Sequence, residues 1–253
     1  DARLEGAFAT AVAPYPPTPQ QSLFFYLADP IQMNKEGSHD FLLQPRCVVV
    51  GPQLNRVNLI VGKHHKSVRV GFHPGGLFRL LGVPMLELAD EGFDASLFFG
   101  SHLTEVMEQL AEAPDHLAIK STIETFLLSQ IKGLKTFHPI DLALQNLVAC
   151  GGLMSMEQTA SDACLSLRQF ERLCKTRLGM NPKLFARIAR FSKAYRLSEN
   201  KGRINWSSIA YECGYFDQMH MIRDFKDFAG VNPGMILSQL SATPLRLQKD
   251  IKF

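Results

Sequence analysis

Arg168, Glu171, Arg172 and Lys175 stand at spacings i, i+3, i+4 and i+7, which places them on one face of an α-helix. Fifty-one positions on, the same spacing carries Met219, Ile222, Arg223 and Lys226. These side-chain types can read the edges of base pairs. Arginine donates two parallel hydrogen bonds to guanine O6 and N7, glutamate accepts from cytosine N4, and methionine or isoleucine can lie against a thymine methyl. A lysine ammonium at the end of each stripe suits a phosphate. Opposite each polar stripe runs an apolar one, Phe170, Leu173 and Cys174 in the first and Met221, Phe225 and Phe228 in the second. Each segment therefore has one face to bury and one to present.

The elements that position these faces are themselves repeated. Residues 160–182, ASDACLSLRQFERLCKTRLGMNP, recur as residues 210–233, AYECGYFDQMHMIRDFKDFAGVNP. Arg172 matches Arg223, Lys175 matches Lys226, Gly179 matches Gly230 and Asn181-Pro182 matches Asn232-Pro233, all at an offset of 51, whereas the two leading alanines are 50 apart. One residue is thus inserted in the second copy, near Gly214-Tyr215-Phe216. Each copy reads as a short helix, a tight turn and a second helix. Ser166 and Asp217 supply the oxygens that cap the second helix of each pair, and Gly214 supplies the turn. Between the copies, residues 183–200 form a helical stretch carrying Arg187, Arg190, Lys193 and Arg196, suited to joining the two units rigidly with those cations toward phosphates.

Earlier in the chain the texture differs. Residues 22–27, 47–50, 57–61 and 67–70 are short apolar, β-branched stretches separated by Pro, Gly, Asn and charged residues, the pattern of strands. From about Gly76 the pattern becomes helical, with Leu77, Leu80 and Leu81, then Leu103, Val106, Met107 and Leu110, then residues 119–131. Leu103, Met107 and Leu110 are expected to cover the sheet rather than form a dimer seam. Residues 133–139, GLKTFHP, break the pattern, and Pro139 suits the first turn of a new helix. The domain boundary is placed there, dividing the chain into residues 1–133, residues 139–237 and a tail over 238–253.

Charge follows this division. The net charge of +3 splits into −4 over residues 1–150 (11 basic, 15 acidic) and +7 over 151–253 (16 basic, 9 acidic). An anionic partner is expected for the second part only. No apolar run approaches the roughly 20 residues of a membrane span, so no membrane partner is expected. The opening residues lack a basic-then-apolar signal pattern. The five cysteines form no CxxC pair and mostly occupy apolar helical positions, consistent with a reducing cytoplasm.

Other chemistries find little support. His64, His65 and His73 lack a spaced carboxylate to complete a metal set, and His64 and His65 point to opposite faces of a strand. Residues 73–76, HPGG, are read as a turn delivering a helix rather than an anion site. No nucleophile, base or metal set converges, so neither catalysis nor a cofactor is expected. A helical interaction adaptor that does not bind DNA remains the alternative; it accounts for the apolar periodicity but not for the doubled basic faces.

Residues 209–233, IAYECGYFDQMHMIRDFKDFAGVNP, with the weaker copy before them, resemble the signature of the AraC/XylS family of bacterial transcription regulators, and the resemblance covers about residues 139–237. It implies an α+β chain in which a small cupin-like β-barrel with helices precedes an all-α domain of two helix-turn-helix units joined by a long helix. Both recognition helices would enter successive major-groove segments of operator DNA, one helical turn (roughly 34 Å) apart. Carried over by position, Arg168, Glu171 and Arg172 reach the groove in one half, and Gln218, Met219, His220, Ile222 and Arg223 in the other, with Lys175 and Lys226 on phosphates. Met219 and Ile222 replace the polar residues of relatives, so methyl contact rather than hydrogen bonding is expected there. Residues 70–84, VGFHPGGLFRLLGVP, preceded by 50–52, VGP, resemble the amino-terminal domain of an uncharacterised branch of these regulators. The resemblance further implies that residues 1–133 are a regulatory, ligand-sensing or dimerisation domain and 139–237 the DNA-binding domain, under control either by a small-molecule effector, whose cavity would lie inside the barrel, or by formation of a homodimer; RNA polymerase is a candidate partner, and activation versus repression is left open.

Overall fold

The computed structural model describes residues 2–3, 12–200 and 205–242. Its first half is antiparallel β-structure. Strands β3 (Ser22–Tyr26), β6 (Cys47–Val50), β9 (Ser67–Gly71) and β10 (Gly92–Asp94) form one four-stranded sheet in the order β10-β6-β3-β9. A second sheet has the order β2-β7-β4-β5, from β2 (Val12–Tyr15), β4 (Ile31–Lys35), β5 (Leu42–Leu43) and β7 (Val57–Val61). Two short strands, β1 (Ala2–Arg3) and β8 (His64–His65), pair with each other. All four sequence-predicted strands are present. The unpredicted β4 is polar at alternate positions, and β10 is too short to carry a pattern.

Strict alternation along the strands sorts their side chains between two environments. In β3, Leu23 and Phe25 join the core beneath the helices, whereas Phe24 and Tyr26 face the other sheet; in β6, Cys47 and Val49 go to the helices and Val48 and Val50 to the opposite sheet. The two sheets thus enclose a flattened barrel, hydrogen-bonded within each sheet rather than around a continuous ring. Inside lies a cavity of about 90 Å³, lined by Tyr15, Phe24, Tyr26, Met33, Leu59 and His65 among others.

Short helices α1 (Gly76–Leu81) and α2 (Ser96–Phe99) and longer helices α3 (His102–Glu112) and α4 (His116–Ser129) cover the outer face of the first sheet. Leu103, Val106 and Leu110 are buried in the same core as Leu23, Phe25 and Val49, with Met107 packed at its margin. These residues cover the sheet, as expected from the pattern. The 73–76 segment is a turn in which Gly76 N–H donates to the His73 carbonyl at 2.7 Å.

A second core begins at Ile140 and runs to Ile236. Its helices are α5 (Pro139–Ala149), α6 (Met156–Asp162), α7 (Leu167–Leu178), α8 (Pro182–Asn200), α9 (Trp206–Glu212), α10 (Gln218–Ala229) and α11 (Pro233–Ala242). Pro139 occupies the first turn of α5, capped by His138 and Asp141 in a reciprocal box. Helix α11 continues through position 238, where the tail was expected to start, and residues 243–253 lie outside the described residues. No described helix is long and apolar enough to cross a membrane.

Candidate nucleic-acid interface

Each repeat folds as a helix-turn-helix, and the backbone shows where the inserted residue went. In the first unit Cys164 N–H donates to Ser161 O at 2.9 Å and Leu165 N–H to Ala160 O at 2.9 Å; in the second, Gly214 donates to Tyr211 O at 3.0 Å and Tyr215 to Ala210 O at 2.9 Å. The turns therefore superpose up to Leu165 and Tyr215, and the added residue is Phe216. Both turns pass through the left-handed region, at Cys164 (φ 56°) and Gly214 (φ 67°). Glycine adopts that backbone freely and cysteine only with strain.

The recognition-type helices start as their cap residues dictate. Ser166 accepts from Gln169 N–H while the Gln169 side chain reaches back to Ser166 N–H, closing a capping box on α7. Asp217 accepts from His220 N–H at 2.6 Å on α10. Phe170 and Cys174 are fully buried, Leu173 is half-buried at the margin, and Met221, Phe225 and Phe228 are buried. The opposite face of α7 exposes Arg168, Glu171, Arg172 and Lys175; that of α10 exposes Gln218, Met219, Arg223 and Lys226, with Ile222 and His220 half-buried. His220 stands edge-on to the buried Tyr215 at 5.4 Å between ring centroids. Gln218 accepts from Ser207 Oγ at 3.4 Å, which ties it to α9.

The cations of the connecting helix α8 do not face phosphates, contrary to the sequence expectation. Arg187 donates to Asp224 at 2.6 Å and to Asp227 at 2.6 Å and stacks on Phe228. Burial works against its charge, but these two carboxylates outweigh that and raise its pKa. Arg190 donates to Gly152 O and lies over Tyr215, Lys193 donates to Glu212 O at the end of α9, and half-buried Arg196 donates to Ser192 O. Their spacing of three winds these residues over half the circumference of α8, the half that meets the flanking helices. Asp224, wholly buried within α10, is the partner that a sequence pattern cannot announce. Burial also pushes the Tyr215 hydroxyl pKa up, with Asp224 nearby reinforcing it.

The barrel reaches both helices from behind. A Cβ built on Gly179, just after α7, would meet Pro52 at 2.6 Å and the Met85 carbonyl at 2.7 Å. On the matching Gly230 after α10, it would meet Arg56 at 2.0 Å. Arg56 donates to the Ala229 carbonyl at 3.1 Å and is held by Glu36 at 2.9 Å. Leu54 and Asn55 N–H both donate to Asp90 Oδ1, at 2.7 and 3.0 Å, which fixes the loop between β6 and β7. A third connection is the buried pair in which Arg177 Nη1 on α7 donates to both oxygens of Asp141 on α5, at 2.6 and 2.9 Å, with the guanidinium over Phe78 of α1 at 4.9 Å. Sequence reasoning named none of these contacts. Their one signal is the pair of glycines, Gly179 and Gly230, kept at the repeat offset.

A helix-turn-helix domain model matches residues 159–239, which spans both units from α6 into α11 and leaves α5 outside. The match marks these two units as a helix-turn-helix domain. The chain shares its architecture with ToxT of Vibrio cholerae. An apo ToxT variant aligns with a TM-score of 0.52 at 13% identity, covering 91% of this chain and 94% of that one. ToxT bound to (E)-4-(8-methylnaphthalen-1-yl)but-3-enoic acid aligns at 0.51 and 14%, covering 92% and 96%. Wild-type ToxT with an unsaturated fatty acid aligns at 0.50 and 13%, covering 93% of each. At such identity the likeness is one of fold. No curated protein matches the sequence.

Proposed function

We propose that this chain is an AraC-type transcription regulator that binds two successive major-groove segments of an operator, presenting α7 to one and α10 to the other. What carries the reading is that two copies of one motif expose the same stripe, Arg168, Glu171, Arg172 and Lys175 in the first and Met219, Arg223 and Lys226 in the second. In the first unit Arg168, Arg172 and Glu171 read base edges by hydrogen bonds. In the second, Gln218, Met219, His220, Ile222 and Arg223 line the groove, with methyl contact dominant. Lys175 and Lys226 neutralise phosphates. Residues 1–133 act as the regulatory domain and 139–237 as the reader, in the cytoplasm, as a binding protein rather than an enzyme. Activation through RNA polymerase and pairing of two copies complete the proposal.

The barrel cavity is the proposed effector site. Its lining is mostly apolar. His65 Nδ1 is buried without a hydrogen-bond partner in its wall, and burial lowers the pKa of that ring, which favours the neutral form. A slender, largely apolar molecule with one polar end suits such a site, and the ToxT structures holding an unsaturated fatty acid support that class. Gly51, Pro52 and Gln53 line the cavity, and the same loop touches the ends of α7 and α10, so occupancy has a direct route to the reading helices.

The test is binding of operator variants selected from a random pool, titrated with salt. Arg172→Ala should cost about 1–3 kcal/mol at one base position and relax preference there, while Lys226→Ala should weaken all sequences alike and lower the salt slope by about one. Uniform loss from both variants removes base reading from Arg172. Absence of salt-sensitive DNA binding favours the adaptor reading.

A further inference from the structure

We propose that Phe216 is an additional base reader, which places an aromatic ring against a thymine methyl at the outer edge of the second half-site and makes the two half-sites chemically unequal. The inference rests on the reading of α10 as a groove-binding helix. Phe216 is the residue by which the second repeat exceeds the first, and it is 94% exposed. In the first unit the residue just before the cap, Leu165, is half-buried and packs on the core that includes Phe170. That arrangement is the one in which an apolar side chain ahead of the cap pins the incoming chain to the helix.

In the second unit that inward role belongs to Tyr215, which is buried. Phe216 follows it and immediately precedes the cap Asp217, so the insertion displaces one large apolar side chain outward into solvent. A ring left in water this way forgoes the burial every other Phe in this domain obtains.

The occupant follows from the position. Recognition helices meet base edges with their N-terminal residues, and Phe216 stands two residues before the first residue of α10. From there the exposed side runs through Met219, 58% exposed, to Arg223 and Lys226, so the apolar end leads and the cationic end follows along one helix face. The cations fix that face against a polyanion. The apolar feature that a major groove offers such a face is the thymine 5-methyl group. A protein partner would find this patch rimmed by cations that already have phosphates to neutralise.

The experiment uses the full chain and its selected operator, with each thymine of the second half-site replaced in turn by uracil, which removes the methyl alone. Burial of one methyl predicts about a fourfold loss of affinity at the sensitive position. Phe216→Ala should erase that sensitivity at the outermost position while leaving the salt slope unchanged, and Met219→Ala should erase it at a neighbouring one instead. Removal of Phe216 altogether, which gives the second turn the length of the first, should also erase it. The proposal is overturned if Phe216→Ala weakens thymine and uracil sites equally, or if it changes nothing. Failure of the wild-type chain to bind any duplex overturns the groove-binding reading itself, whereas binding without methyl sensitivity overturns only the role of Phe216.

Discussion

Replacement of Asp141 by Ala should destabilise the carboxy-terminal domain by about 3–5 kcal/mol, the usual cost of removing one partner from a buried ion pair. Both partners are deeply buried, with side-chain exposures of 1% for Asp141 and 10% for Arg177. The variant leaves the Arg177 guanidinium without either of its carboxylate bonds, and deprives His138 N–H of an acceptor at 2.9 Å. Trp206, the one tryptophan of the chain, stands edge-on to Phe225 at 5.7 Å and reports unfolding of this core by fluorescence. With a urea slope of about 2 kcal/mol/M, the midpoint should fall by about 1.5–2.5 M. The companion variant Asp141→Leu with Arg177→Met replaces the pair by apolar side chains of similar size. It should recover all but about 1 kcal/mol, the share belonging to the lost cap, because a buried pair is worth little beyond what apolar packing supplies. A loss under about 1 kcal/mol for Asp141→Ala, or a double variant as unstable as the single, would refute the reasoning.

Three further outcomes test the structure. Arg56→Ala removes the donor from the Ala229 carbonyl and should cost about 1 kcal/mol in stability; in gel shifts it should lessen discrimination between operators whose half-sites differ by one base pair in spacing, and unchanged discrimination would separate the barrel loop from the setting of α10. Burial pushes the Cys47 and Cys174 thiols up to about 12 from the ordinary 9.0. Because the folded state holds these protons more tightly, stability should be fully present below pH 9 and decline as pH rises from about 9 toward 12. Exposed Cys164 should react with a thiol reagent at pH 8 well before either, and equal rates at the three sites would contradict their burial.

The order of a strand-rich part and a helix-rich part was legible from texture alone. Runs such as 47–50 and 57–61 carry β-branched residues between turn formers, and α7 and α10 carry a 3.6-residue apolar period with a cap oxygen one position before each. Those signals are local, so a linear reading finds them. The doubled motif added the one non-local fact available, because a segment repeated at an offset of 51 must fold twice in the same way. It also located the extra residue to within three positions.

Sequence by itself thus determined the two units, their caps, and which face of each helix is buried. Tertiary structure decided what became of the charges. Arg187, Arg190, Lys193 and Arg196 recur every three residues along α8, yet α8 lies between its neighbours, and three of them meet Asp224, Gly152 O and Glu212 O. Asp141 and Arg177 are 36 positions apart and Arg56 and Ala229 are 173 apart. Helical periodicity fixes the angle of a side chain about its own axis, but the partner standing at that angle is set by how helices and barrel pack, which no local pattern encodes.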